Sequence, residues 1–215
     1  MIRLTLTRGP GPMGLDISLC PDPTFLALAF PLNPLPASLY QKGISLQVTE
    51  VVRNSVKAIP PSAKTANFLN NILAGIEARQ KGAREAVLLN DKGFVTEGSV
   101  TNIFIVKKGR LITPAAQTGI LLGVTRKVVL EIARKEGLPV EERHFRPASL
   151  FSADECFVTS SSYEIMPATR MNGKRIGAGK PGPITGSLIY LFRELTFTSP
   201  VHRSAQSVKE KGKFN

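Results

Sequence analysis

The chain has 215 residues, 42% of them hydrophobic and 20% charged, the make-up of a globular protein with one or two sizeable cores and not of a chain disordered throughout. Its longest apolar stretch, residues 25–32, is broken by Pro31 and falls well short of the ~20 residues that span a bilayer, so no membrane span is expected. The net charge of +12 invites a nucleic-acid reading, but only a quarter of it sits in the tail, where Arg203, Lys209, Lys211 and Lys213 oppose Glu210. The remainder is scattered, and 7% aromatics without Trp offer no stacking platform for bases, which favours an ordinary basic surface that attracts anionic metabolites. Cys20 and Cys156 lack disulfide or metal spacing, which suits a reducing cytoplasm, and the alternating start at residues 1–7 reads as a strand instead of a secretory signal.

Residues 2–7, 24–30 and 43–53 read as strands, separated by the Gly/Pro loop at 8–12 and a proline-laden stretch that ends at Pro36. From Thr65 the period changes: Leu69, Ile72, Leu73 and Ile76 fall on one helical face, Glu77, Arg79, Gln80 and Lys81 give polar cover, and Gly82 stops the helix. Short strands follow at 85–89, 94–95, 102–106 and 111–112, with turns at Asn90-Asp91-Lys92-Gly93 and Lys107-Lys108-Gly109-Arg110. Residues 125–136 place Val128, Val129, Ile132 and Ala133 on one face before Gly137 and Pro139 end the helix. A turn of helix at 148–150, a strand at 155–160, a hairpin turn at Met171-Asn172-Gly173-Lys174 and an amphipathic helix at 184–195 complete an α+β fold of mixed α/β layers without internal repeats.

Four stretches carry chemistry. Lys64 precedes the first helix after Pro60-Pro61; a lysine amine becomes a Schiff-base nucleophile where an ordered site lowers its pKa, although most lysines are solvated charges. Glu97, in Thr96-Glu97-Gly98-Ser99, could hydrogen-bond a protonated pyridine nitrogen or simply cap a turn. Gly119-Ile120-Leu121-Leu122-Gly123-Val124-Thr125-Arg126 sets a glycine before a helix start, suited to an anion or to an N-cap at Thr125. Thr159-Ser160-Ser161-Ser162 offers four hydroxyls after a strand, for a phosphate or carboxylate or as a polar loop.

Their order and spacing resemble the class IV aminotransferase family, which includes branched-chain and D-amino-acid aminotransferases and aminodeoxychorismate lyases. The likeness runs from about residue 2 to 195 and is carried by Ala63-Lys64-Thr65, Thr96-Glu97-Gly98, Leu122-Gly123-Val124-Thr125-Arg126 and Tyr163-Glu164-Ile165-Met166-Pro167. The resemblance implies pyridoxal 5'-phosphate as cofactor, carried by Lys64, which also shuttles the α-proton, with Glu97 on the pyridine nitrogen and Leu121 against the ring. It implies that Gly123, Val124 and Thr125 hold the phosphate with Ser160 and Ser161, and that Ser162, Phe68 and Arg3 face the substrate. Phe68 stands where branched-chain enzymes carry a tyrosine, Met13-Gly14 resembles the branched-chain loop, and the Arg and His used by D-amino-acid enzymes are missing from residues 11–15.

The implied activity is amino transfer between a branched-chain-like α-amino acid and a 2-oxo acid such as 2-oxoglutarate, by a cytoplasmic homodimer; lyase chemistry on aminodeoxychorismate and a catalytically silent shortened homologue are the alternatives. The implied fold is the large cofactor-binding domain of D-amino-acid aminotransferase-like proteins with the small N-terminal subdomain truncated. Expected boundaries are 1–60 for the remnant of that subdomain with its linker, 61–197 for the cofactor-binding domain, and 198–215 for a basic flexible tail.

Overall fold

A computed structural model describes residues 1–61 and 63–197; the expected tail at 198–215 lies outside the described residues. Two compact units are present, Met1–Leu35 and a second that begins at Pro36. In the first, β1 (Ile2–Thr7) and β2 (Thr24–Ala29) form an antiparallel pair in the register Ile2↔Ala29 to Thr7↔Thr24. The alternation seen in the sequence is that of an open ribbon, because Ile2, Leu4, Leu6 and Phe25 are all exposed.

The second unit is built on a sheet of mixed direction. Its strands are β3 (Ile44–Val48), β4 (Glu85–Val87), β5 (Asn102–Lys107), β6 (Arg110–Pro114), β7 (Val140–Arg143), β8 (Glu155–Ser160), β9 (Glu164–Met171) and β10 (Lys174–Arg175). The order is β4-β3-β9-β8-β5-β6-β7, with β10 pairing on β9. Parallel pairs β3/β4, β3/β9 and β6/β7 flank the antiparallel run β9-β8-β5-β6, so the mixed α/β layering expected from the sequence is present. The helices are α1 (Ala37–Lys42), α2 (Leu69–Gln80), α3 (Val124–Lys135), α4 (Pro147–Phe151) and α5 (Pro183–Phe197).

The expected boundary at residue 60 moves to 35/36. The reason is β3, which lies inside the sheet, bonded to β4 on one side and β9 on the other, and so cannot belong to a linker. The helix expected from Thr65 is α2, and it starts later, at Leu69. Local bonds compete with it: the Thr65 N–H donates to the Ala63 carbonyl, the Asn67 N–H to Thr65 Oγ1 and the Phe68 N–H to the Ala66 carbonyl. Residues 94–95 make only an isolated bridge, Leu89↔Val95.

The main core lies between the sheet and helices α3 and α5. Phe104 and Phe157, neighbours on β5 and β8, stack with ring centroids 4.9 Å apart and meet Val129, Ala133, Leu188 and Phe192. Glu155 fixes the start of α5 by accepting from the N–H groups of Ile184 and Thr185 at 3.1 and 2.7 Å, the arrangement that satisfies free helix-terminal donors. The hairpin turn takes the form its sequence requires: Asn172 and Gly173 both have positive φ, 48° and 75°, which an asparagine-glycine pair tolerates.

Helix α2 departs from its expected orientation. Its small residues Ala74 and Ala78 pack with Ala83, Ala86 and Leu88, whereas Leu69, Ile72, Leu73 and Ile76 face outward. Among the described residues no helix is long and apolar enough to cross a membrane.

Replacing Phe157 by Ala removes half of the stacked pair from a fully buried position. A loss of about 3–5 kcal/mol in unfolding free energy is expected, measurable by urea denaturation followed by circular dichroism.

Candidate active site

A pocket of about 260 Å³ opens in the second unit where four irregular segments meet the ends of β5 and β8. The segments follow β3, precede α2, precede β5 and precede α3. The first turn of α2 ties the first and third together. Asn70 donates to the Val52 carbonyl at 2.8 Å and accepts from the Asn54 N–H, and Asn71 donates to the Ser99 carbonyl at 2.7 Å. Ser99 is gripped from the other side by the buried Glu85 carboxylate, which accepts its N–H at 2.9 Å and its hydroxyl at 2.5 Å.

These anchors present Glu97, which is 5% exposed, at the pocket floor. One carboxylate oxygen accepts from Arg53 Nε at 3.0 Å and lies 3.0 Å from Arg53 Nη2 in an ion pair. The other accepts the Leu121 N–H at 2.8 Å and, at a longer 3.4 Å, the Asn102 amide. Burial is the largest influence on this group and pushes its pKa up to about 7, against the opposing pull of Arg53, the Leu121 N–H and Lys64. Arg53 carries no periodic signal and is 44 residues from its partner, so the sequence did not single it out.

Helix α3 begins at Val124 with Gly123 as its N-cap and no side-chain cap. The alternative of an N-cap at Thr125 is not realised; Thr125 is buried within the first turn. Gly123 is required by close approach, since any side chain there would collide with Asn102 Oδ1. The same Asn102 donates to the Leu121 carbonyl at 2.8 Å, which holds the segment before α3 against β5. The rest of α3 is locked by Arg126, buried, whose Nη2 donates to the Pro114 carbonyl at 3.0 Å and to Glu142 at 2.8 Å.

Lys64, Phe68, Glu97, Leu121, Gly123, Val124, Thr125, Ser160 and Ser161 all line the pocket. Lys64 is exposed, its Nζ standing 6.0 Å from the Phe68 ring centroid, and among the described residues it has no ion pair. Ser160 Oγ accepts the Tyr163 N–H at 3.1 Å and pairs with Ser162 Oγ at 3.3 Å, so two hydroxyls of the run stabilise their own turn. Ser162 is exposed and is not among the lining residues; Arg3 lies on β1 in the other compact unit.

The donor set fits a phosphorylated pyridine aldehyde. A lysine amine faces the cavity, an uncapped helix start supplies N–H groups for an anion, and the 3.4 Å Asn102 contact leaves Glu97 a place for one further donor. The buried hydroxyls of Thr101 and Thr159, both lining the pocket, have no hydrogen-bond partner among the described residues.

The family profile described as "Amino-transferase class IV" matches residues 1–171. A Methanocaldococcus jannaschii protein assigned provisionally as a branched-chain-amino-acid aminotransferase is 42% identical over 194 residues, covering 90% of this chain and 66% of its own. The crystal structure of the Escherichia coli branched-chain amino acid aminotransferase superposes with a TM-score of 0.85 at 32% identity, over 92% of this chain and 64% of that one. The Thermobaculum terrenum branched-chain amino acid aminotransferase in its PLP form superposes at 0.78 with 29% identity, over 94% and 67%. The chain thus spans about two thirds of the length of these relatives.

Because the Glu97 carboxyl holds its proton more tightly in the folded ligand-free protein, with a pKa of about 7 against 4.5, the folded state binds the extra proton between those values. Stability should therefore fall as pH rises from about 4.5 to 7 and level off above. Glu97→Gln, compared with the parent in denaturant titrations across that window, should flatten this part of the profile.

Proposed function

Since the chain belongs to the class IV aminotransferase family, we propose that it moves an amino group between a branched-chain-like α-amino acid and a 2-oxo acid such as 2-oxoglutarate, using pyridoxal 5'-phosphate. The observation that carries this reading is the convergence of Lys64, the buried Glu97 and the uncapped start of α3 on one pocket. Bound there, the cofactor supplies an aldehyde for the amine and a ring that draws electrons away from the substrate Cα.

The chain's residues would divide the remaining work. Lys64 Nζ would hold the aldehyde, and as a free amine it would take a proton from the substrate Cα and return it, acting as general base and then acid. Glu97 holds a positive charge on the ring nitrogen. Its own charge would be made tolerable by Arg53, which donates one hydrogen bond to a carboxylate oxygen and pairs with it in charge. The N–H groups at Val124 and Thr125, with Ser161, receive the phosphate, and Leu121 supplies an apolar surface to the ring. Phe68, Val100 and Leu122 give the pocket apolar lining, which supports a branched aliphatic substrate side chain.

The same reading extends to a homodimer, supported by the outward stripe Leu69, Ile72, Leu73 and Ile76 beside the pocket. It extends to a cytoplasmic setting, supported by two unpaired cysteines, of which Cys156 is buried and its thiol pushed up to about 12 by that burial.

Protein mixed with pyridoxal 5'-phosphate should turn yellow, and borohydride should then fix a pyridoxyl group on the peptide that contains Lys64, as seen by mass spectrometry. Lys64→Ala should lose both signals, and leucine with 2-oxoglutarate should give glutamate only with the parent chain. A parent chain that stays colourless overturns the proposal.

A further inference from the structure

Thr159 is 1% exposed, yet its hydroxyl has no hydrogen-bond partner among the described residues. Its backbone is committed to the sheet, paired with Asn102 on β5 and Ile165 on β9, so only the side chain is free to recognise anything. Side chains directly opposite across a ladder share a face, which sets Thr159 beside Asn102. Asn102 in turn lies against Gly123, the N-cap of α3. The unpaired hydroxyl therefore belongs to the corner of the pocket where a twelve-residue helix begins without a side-chain cap.

Two independent features thus coincide: a helix start whose N–H groups favour an anion, and a buried donor left unsatisfied by the fold. Thr101 offers a useful contrast. Its hydroxyl is also unpaired, but the neighbour it crowds is Gly98 of its own loop, where an added Cβ would strike it. Arg126, the third residue with an unpaired buried atom, already spends its Nη2 on Pro114 and Glu142.

We propose that Thr159 is a further phosphate-holding residue, its hydroxyl donating to an oxygen of the cofactor's phosphate monoester alongside the first N–H groups of α3. This rests on the pyridoxal-phosphate reading given above. A role in holding the fold and a role in holding the ligand predict opposite effects of removing the hydroxyl. If the fold uses it, the ligand-free protein weakens; if the ligand uses it, the ligand-free protein is no weaker and only binding suffers.

The test compares the parent chain with Thr159→Val, which keeps the branched shape, and Thr159→Ser, which keeps the hydroxyl. Thermal midpoints of the ligand-free proteins are measured, with dissociation constants for pyridoxal 5'-phosphate and for pyridoxal, which lacks the phosphate. Thr159→Val should melt no lower than the parent and bind pyridoxal phosphate about tenfold more weakly or worse, the loss expected for one charge-assisted hydrogen bond. Its affinity for pyridoxal should be unchanged, and Thr159→Ser should bind pyridoxal phosphate within about twofold of the parent, short of the tenfold that one such bond is worth. A valine variant that melts earlier or fails to fold, that binds pyridoxal phosphate like the parent, or that loses affinity for pyridoxal to the same degree overturns the assignment. A parent chain that takes up no pyridoxal phosphate sinks the underlying reading, and the assignment with it, and is distinguished by failing before any variant is compared.

Discussion

A carboxylate placed out of water must be surrounded by donors, and the way Glu97 meets that demand organises the whole pocket. Its partners come from three other places: Arg53 after β3, Asn102 at the start of β5 and the Leu121 N–H before α3. Each partner fixes a segment that would otherwise be an unsupported loop. Arg53 is further secured by its own N–H donating to the Leu89 carbonyl, and Asn102 carries the bond on to the Leu121 carbonyl. The position of the phosphate-favouring helix start relative to the floor is thus set by one buried charge.

Such an arrangement costs stability. Burial outweighs the three donors that reach Glu97 and pushes its pKa up to about 7. A pair of apolar residues would serve the fold as well or better. The unsatisfied hydroxyl of Thr159 in the same pocket tells the same story. Places where a fold keeps groups it does not satisfy are the places where a ligand is expected to satisfy them.

What could be read from the sequence follows from how local each signal is. Helix α3 was legible because its apolar period, its C-terminal Gly137 and its preceding Gly123 are adjacent in the chain. Several of the residues lining the pocket, from Lys64 through Glu97 and Leu121 to Ser161, were legible through the family resemblance, whereas Arg3 and Ser162, named with them, do not line it. Arg53 was not, because its meaning lies in a carboxylate 44 residues away, and neither was the true start of α2, where three short-range bonds around Thr65 override helical composition. The place of β3 inside the sheet was hidden for a similar reason: its partners are β4 and the distant β9, and nothing in residues 44–48 names either of them.

Helix α2 shows how a correct period can give the wrong face. Periodicity reports that Leu69, Ile72, Leu73 and Ile76 share a side, but the side turned to the sheet is chosen by closeness of approach, and Ala74 and Ala78 allow a closer one. Packing through alanines brings the first turn of α2 near enough for Asn70 and Asn71 to reach backbone carbonyls on both walls of the pocket. Reversing the helix to bury its large residues would move those amides away and release the segments carrying Arg53 and Ser99. The exposed stripe is therefore the consequence of using α2 as a clamp for the site.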